Sequence, residues 1–116
     1  MKSYYSLGLM SGTSGDGVDA SIIQSDGVNT YKVILNKYFQ YDKYIYENIH
    51  WLISLIKDSI DLKRFSKDVK KLEKIITLFH AKVVKEIIKE SKININLIGF
   101  HGQTILHYLG DQKSVV

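Results

Sequence analysis

The chain has 116 residues, a length that fits one domain with a single hydrophobic core. Hydrophobic residues make up 45% and charged residues 24% of the chain, which is ordinary for a globular protein and argues against disorder. The formal net charge of +4 comes from lysines spread mainly over the middle third, a distribution typical of a solvated helix face rather than a nucleic-acid-binding surface.

The sequence also indicates the compartment in which the protein is expected to function. Cysteine is absent, so disulfides and thiolate metal sites are excluded. The first residues do not form a basic segment followed by a long apolar one, and no apolar stretch approaches the roughly 20 residues of a transmembrane helix. We therefore expect a soluble cytoplasmic protein that binds neither membranes nor nucleic acid.

Three strands are predicted in the first forty residues. Tyr4–Met10 and residues 18–24 alternate between apolar and polar side chains, and residues 31–39 follow the same pattern. The Asp26-Gly27 dipeptide between the second and third strands is typical of a hairpin turn.

The hydrophobic period then changes to that of helices. Asp42 is the predicted N-cap of a first helix, residues 61–64 form a polar break, and Ser66 is the predicted cap of a longer helix. The first apolar stripe comprises Ile45, Ile49, Leu52, Ile53, Ile56 and Ile60. The second comprises Val69, Leu72, Ile76, Phe79, Val83 and Ile87, widened by Ile75 and Ile88.

The second helix is expected to stop within residues 92–96, and Leu97–His101 is predicted to be a buried strand. The order is therefore βββ–α–α–β, which implies an α/β fold with a mixed sheet covered by helices. Residues 105–109 have the pattern of a strand whose partner is missing, and residues 110–116 complete no element. We accordingly predict that residues 1–116 are part of a lobe that has been cut short.

The most informative segment follows the first strand. It reads Gly8-Leu-Met-Ser-Gly-Thr-Ser-Gly-Asp-Gly-Val-Asp-Ala20. Its glycines allow backbone N–H groups to converge on an anion, and the hydroxyls of Ser11, Thr13 and Ser14 add donors. Asp16 and Asp19 can hold a hard cation directly or through water. This composition predicts a loop that binds a metal–polyphosphate, as in a kinase, rather than a plain hairpin turn.

Three familiar motifs overlap this loop and fail. Val18 and Asp19 occupy the positions where a Walker A loop requires Lys and Ser/Thr. The dinucleotide fingerprint that begins at Gly15 must open a helix, whereas the residues after it alternate as a strand. Asp16 stands where the nucleophile elbow of a serine hydrolase requires glycine. The remaining pattern is strand, glycine-rich turn and strand, with a carboxylate inside the turn.

A second polar segment lies at the end of the last predicted strand. His101, Gln103 and Thr104 bring hydrogen-bonding side chains to the edge of the sheet, and Gly102 lets the backbone come close to a ligand. Mixed donors and acceptors of this kind bind polyhydroxylated sugars. The alternative for His101 is a buried histidine paired with a backbone carbonyl.

Together the two motifs resemble the anhydro-N-acetylmuramic acid kinases. The resemblance covers the whole chain but only about the N-terminal third of a family member, and Gly15 departs from the larger residue usual at that position. It implies a partial ribonuclease H-like lobe of an actin-like ATPase or kinase. Carried onto this chain, the family's ATP-binding loop comprises Gly12, Thr13, Ser14, Gly15, Asp16, Gly17, Val18 and Asp19.

The resemblance also implies a function for the full-length enzyme. Such an enzyme uses ATP and Mg²⁺ to phosphorylate 1,6-anhydro-N-acetylmuramic acid and opens the anhydro ring, giving N-acetylmuramic acid 6-phosphate in cell-wall recycling. Asp16 and Asp19 are expected to hold the metal through water, and His101, Gln103 and Thr104 to lie near the sugar. The catalytic general base is expected downstream of this chain. Whether the protein forms a homodimer stays open.

Three alternatives remain at this stage. The chain could be an inactive remnant of such a kinase, with no catalysis of its own. The lysine-flanked second helix could be an interaction surface for acidic partners or nucleic acid. A related enzyme could act on another sugar or acid, because a fold does not fix a substrate.

Overall fold

Strands and helices alternate in three blocks along the chain. The computed structural model describes residues 3–11, 14–107 and 113–115, and only the backbone of residues 104–107 and 113–115. The strands are β1 (Tyr4–Met10), β2 (Gly17–Ser25), β3 (Tyr31–Gln40), β4 (Leu97–His101), β5 (Thr104–His107) and β6 (Lys113–Val115), and the helices between β3 and β4 are α1 (Lys43–Leu55), α2 (Ser59–Arg64) and α3 (Ser66–Ser91).

The main sheet is mixed, as the sequence predicted. Its order is β3-β2-β1-β4, with antiparallel pairing of β1 with β2 and of β2 with β3. β4 returns after the three helices and pairs parallel to β1, in a register that places Leu7 beside Ile98 and Met10 beside His101. Because these two strands are parallel, their carboxyl ends lie on the same side of the sheet, and the segments that follow them start next to each other.

The helices cover one face of this sheet and build the core with it. Alternate side chains of β1 and β2 point toward α1 and α3, which present their apolar stripes to the sheet. The predicted stripes are largely confirmed, except that Ile60 is exposed on α2. The fully or almost fully buried apolar side chains are Leu7, Leu9, Val18, Ala20, Ile22, Tyr41, Ile45, Ile49, Leu52, Ile56, Leu72, Ile76, Val83 and Ile87.

One predicted helix boundary is confirmed by the structure and two are wrong. The Asp42 carboxylate accepts a hydrogen bond from the Ile45 amide, so its predicted N-cap role is confirmed. The predicted break at residues 61–64 is wrong, because a short helix capped by Asp58 occupies it. Ser66 is the first residue of α3 rather than its cap, and Phe65 at the N-cap position provides no side-chain hydrogen bond.

The end of the chain requires two further corrections. β4 has the predicted bounds but is not buried: Leu97, Ile98 and Phe100 are 65%, 49% and 57% exposed. It forms an edge of the described four-stranded sheet, so an apolar run did not imply burial. The strand predicted to lack a partner has one, because β5 pairs antiparallel with β6. Residues 108–112 and 116 lie outside the described residues.

Candidate functional site

The glycine-rich loop joins β1 to β2 at the carboxyl end of β1. Ser11 is fully buried directly after the strand, whereas Ser14 is exposed. Gly15 adopts a φ of +69°, and a Cβ on it would lie 3.0 Å from Ile49 Cγ2 and 3.1 Å from His50 Nε2. The loop therefore follows α1 closely at this point, in a conformation that favours glycine.

A second loop leaves the sheet beside the first. It follows β4 and contains Gly102 and Gln103, both buried. The Ser11 amide donates to the carbonyl oxygen of His101 over 3.1 Å, which continues the β1–β4 pairing by one residue past Met10. The two segments that sequence analysis singled out are therefore adjacent in space.

Four buried polar side chains form a cluster here, of which Ser11 and Gln103 belong to the two loops, Tyr41 to the connection before α1 and His80 to α3. Ser11 Oγ is 2.8 Å from His80 Nε2 and 3.1 Å from the Tyr41 hydroxyl, and the same hydroxyl is 3.3 Å from Gln103 Oε1. His80 Nδ1 donates to the Ile76 carbonyl over 2.8 Å, so Nε2 of the neutral ring is free to accept. Burial lowers the pKa of His80 and raises the pKa of Tyr41, which keeps both side chains uncharged near neutral pH.

Two carboxylates lie at the opposite, more exposed side of the glycine loop. Asp16 is the last residue of the loop and Asp19 lies on β2, beside Met10 of β1 and Tyr38 of β3. Burial raises the pKa of Tyr38, and both carboxylates raise it further, so all three groups share one electrostatic environment. The Asp16 carboxylate is also 3.9 Å from His50 Nε2.

The predicted site residues divide between the surface and the interior. Ser14 and Asp16 are accessible in the loop, Asp19 is exposed on β2, and Val18 belongs to the core. Gln103 is fully buried against Tyr41 rather than exposed at the sheet edge. Gly12 and Thr13 lie outside the described residues, as does the side chain of Thr104.

Two residues that contact Ser11, namely Tyr41 and His80, were not predicted from the sequence. No motif contains them, and their partners are 30 to 69 residues away along the chain. The only available indication was that His80 falls on the apolar stripe of α3, where a buried polar side chain requires a hydrogen-bond partner.

Within the described ranges, no group of three or more His, Asp or Glu side chains is arranged to hold a metal ion. The two carboxylates predicted to hold a cation through water, Asp16 and Asp19, are too few to form such a group. Among the same residues, none of the helices combines the length and the apolar character needed to cross a bilayer.

A mixed sheet with helices on one face and two adjacent loops at the carboxyl ends of parallel strands agrees with a partial ribonuclease H-like lobe of the actin-like ATPase and kinase class. A family model described as anhydro-N-acetylmuramic acid kinase matches residues 4–115. The chain belongs to this family.

Individual relatives agree with this assignment. The chain is 56% identical over 106 residues to the anhydro-N-acetylmuramic acid kinase of Pelagibacter ubique (strain HTCC1062), an alignment that covers 91% of the chain and 28% of the relative. It is 34% identical to the enzymes of that name from Agrobacterium fabrum and Rhodospirillum rubrum, covering 87% and 89% of the chain and 28% and 26% of the relatives. The chain thus spans between a quarter and a third of the length of these curated relatives.

Proposed function

We propose that the chain supplies the first phosphate-binding loop of a kinase that phosphorylates 1,6-anhydro-N-acetylmuramic acid with ATP. The family membership supports the reaction, and the observation that carries the loop's role is its geometry. Gly15 is buried with a positive φ and Asp16 stays accessible beside it, so backbone amides and one carboxylate can face a ligand together. We place this activity in the cytoplasm, where ATP is available.

The proposed reaction balances with one water molecule. Water adds its oxygen to C1 of the sugar, the bond between C1 and O6 breaks, and O6 receives the γ-phosphoryl group of ATP. ADP and N-acetylmuramic acid 6-phosphate are the products. The general base that takes the proton from water is expected outside this chain.

Phosphoryl transfer depends mainly on positioning and charge neutralisation. In our proposal, the amides and hydroxyls of residues 12–17 hold the β- and γ-phosphates. The loop's donors fit a hard cation, with Asp16 and Asp19 as oxygen ligands acting through water. Mg²⁺ bound there would neutralise phosphate charge. His101 and Thr104 are proposed to serve the sugar side, and Gln103, which is fully buried, to hold their loop in place rather than to contact the sugar.

The experiment uses a chimera in which this chain replaces the matching segment of the Pelagibacter ubique relative. We expect ATP-dependent formation of the sugar 6-phosphate. Exchanging Asp16→Asn should lower kcat roughly 100-fold, with the KM for the sugar within about twofold, because the carboxylate acts on the phosphate side. The matched control is Asp68→Asn, which removes an acidic side chain from the first turn of α3 and should leave kcat unchanged.

Unchanged kcat in the Asp16→Asn chimera would remove Asp16 from this role. A chimera that folds but forms no sugar phosphate would contradict the proposed function and favour the inactive-remnant alternative.

A further inference from the structure

Tyr41 contacts both ends of the glycine loop. Its backbone N–H donates to the carbonyl oxygen of Asp16 over 2.9 Å, at the point where the loop enters β2. Its hydroxyl lies 3.1 Å from Ser11 Oγ, at the point where the loop leaves β1. Tyr41, which lies outside the loop, therefore contacts both the first and the last residue of the loop, Ser11 and Asp16.

Ser11 is held from a second direction by His80. Because Nδ1 of His80 donates to the Ile76 carbonyl, Nε2 accepts, and the Ser11 hydroxyl must donate to it over 2.8 Å. The Ser11 oxygen is then available to accept from the Tyr41 hydroxyl. The hydrogen bonds therefore run in one direction, from Tyr41 through Ser11 to His80 and the α3 backbone.

The same hydroxyl reaches the second loop. The Tyr41 hydroxyl oxygen also lies 3.3 Å from Gln103 Oε1, so its single proton is shared between Ser11 Oγ and Gln103 Oε1, and the segment after β4 joins the cluster through the longer contact. Ser11 and Gln103 are 0% exposed, and Tyr41 and His80 are 4% exposed. The centroids of the Phe79 and Tyr41 rings lie 5.0 Å apart, and those of the Phe100 and His80 rings lie 4.7 Å apart. In such apolar surroundings hydrogen bonds are strong and an unmade one is costly.

We propose that Tyr41 is a positioning residue that closes the loop of residues 11–16 and couples it to the loop of residues 102–103, with His80 fixing the orientation of Ser11. We call the four side chains Ser11, Tyr41, His80 and Gln103 the clasp. The clasp sets the spacing of the loop ends before any ligand binds. Its effect on ATP affinity rests on the proposed function, whereas its effect on the loop does not.

Amide hydrogen exchange of the chain, followed by NMR, tests the clasp. The Ser11 and Tyr41 amides report on the two loop ends, because they donate to His101 and Asp16. The Asn96 amide, which donates to Tyr5 at the other end of the sheet, is the internal control. Tyr41→Phe removes one hydroxyl and keeps the ring, Ser11→Ala removes its partner, and Tyr44→Phe is the matched control on the exposed part of α1.

Tyr41→Phe should accelerate exchange at the two loop ends roughly tenfold, the effect of losing one buried hydrogen bond, and Ser11→Ala should accelerate it more, because it also removes the hydrogen bond to His80. Exchange at Asn96 should stay within about twofold of its original rate. The control variant Tyr44→Phe should change neither the exchange rate at the loop ends nor that at Asn96. The double variant should exchange much more slowly than the product of the single effects predicts, since both changes break the same bond. The proposal would be overturned if the amides at the loop ends exchanged at the same rate in the variants as in the original chain. It would also be overturned if the rate increase in the double variant equalled the product of the two single increases.

Kinetics of the chimera separate this inference from the proposed function. Tyr41→Phe should raise the KM for ATP roughly tenfold and the KM for the sugar by a smaller factor, because Tyr41 also contacts Gln103 in the loop proposed to serve the sugar. A general loss of structure would raise both constants to a similar extent. If the chimera lacks kinase activity while exchange responds as expected, the proposed function fails and the clasp stands. If the chimera is active and Tyr41→Phe alters neither exchange nor the KM for ATP, the clasp fails and the function stands.

Discussion

Gly17 occupies the position where the glycine loop enters β2, and it has no room for a side chain there. A Cβ on Gly17 would be closer to the Phe39 carbonyl oxygen than van der Waals contact allows, and 2.7 Å from the Tyr38 ring. Gly8 on β1 has no atom within 4 Å of the corresponding point. The two glycines therefore serve different purposes, although the sequence presents them in the same motif.

Gly17→Ala should lower the free energy of unfolding by about 1–3 kcal/mol, because the backbone of β3 must move to admit the methyl group. Gly8→Ala is the control and should change it by less than about 0.5 kcal/mol. Urea unfolding followed by circular dichroism measures both. A Gly17→Ala chain as stable as the original would show that β2 and β3 separate at little cost.

His80 should make stability depend on pH. Burial lowers its pKa in the folded chain below the ordinary value of 6.5, so the unfolded chain takes up a proton first as the pH falls. The stabilisation is therefore complete above pH 6.5 and is lost as the pH decreases toward the folded pKa. The urea concentration at the unfolding midpoint should differ more between pH 7.5 and pH 5.5 for the original chain than for His80→Gln, whose amide oxygen can still accept from Ser11. Equal differences in the two chains would show that His80 does not cause the pH dependence.

At the scale of elements, the start of α1 depends on one carboxylate. Asp42 Oδ1 accepts from the Ile45 amide over 2.9 Å, and α1 buries Ile45, Ile49 and Leu52 against the sheet. Asp42→Ala should lower the free energy of unfolding by about 0.5–2 kcal/mol, and Asp42→Asn should restore most of it, because both Asp and Asn cap helices well. Thermal unfolding measures the series. Equal losses for the two variants would assign the effect to charge rather than to capping.

The sequence predicts elements well where the pattern is local. β1 has its predicted bounds, and Asp42 caps α1 as expected, because alternation and capping depend on neighbouring residues. The exposure of Leu97 and Phe100 was not predictable, since burial depends on which strand lies next to β4. Ser66 failed as a cap because a preceding short helix places Phe65 there.

The candidate site was predictable only in part for the same reason. The loop motif is contiguous, and its adjacency to the segment around His101 follows from parallel pairing of β1 and β4. The clasp, by contrast, joins residues from a strand end, a connection, a helix and a second loop. Such contacts are properties of the folded chain, and no spacing in the sequence encodes them.

At the scale of the whole molecule, the chain contains two of the loops that we propose to form the site, and we expect the site to need further ones. It spans 26–28% of the relatives from Rhodospirillum rubrum and Pelagibacter ubique. We therefore expect residues 1–116 alone to form no sugar phosphate from ATP, and to bind ATP·Mg²⁺ weakly or not at all in calorimetric titration. The chimera is the positive control. Sugar phosphate produced by the isolated chain would contradict this prediction.

The parallel pairing of β1 with β4 has a consequence for biosynthesis. On the ribosome, β1, β2 and β3 emerge first and can form their antiparallel ladder while the helices are still being translated. One edge of β1 then remains without a hydrogen-bonding neighbour until β4 has been made. An unsatisfied strand edge of this kind recruits other chains, so the nascent protein passes through an interval in which a chaperone would protect it from aggregation.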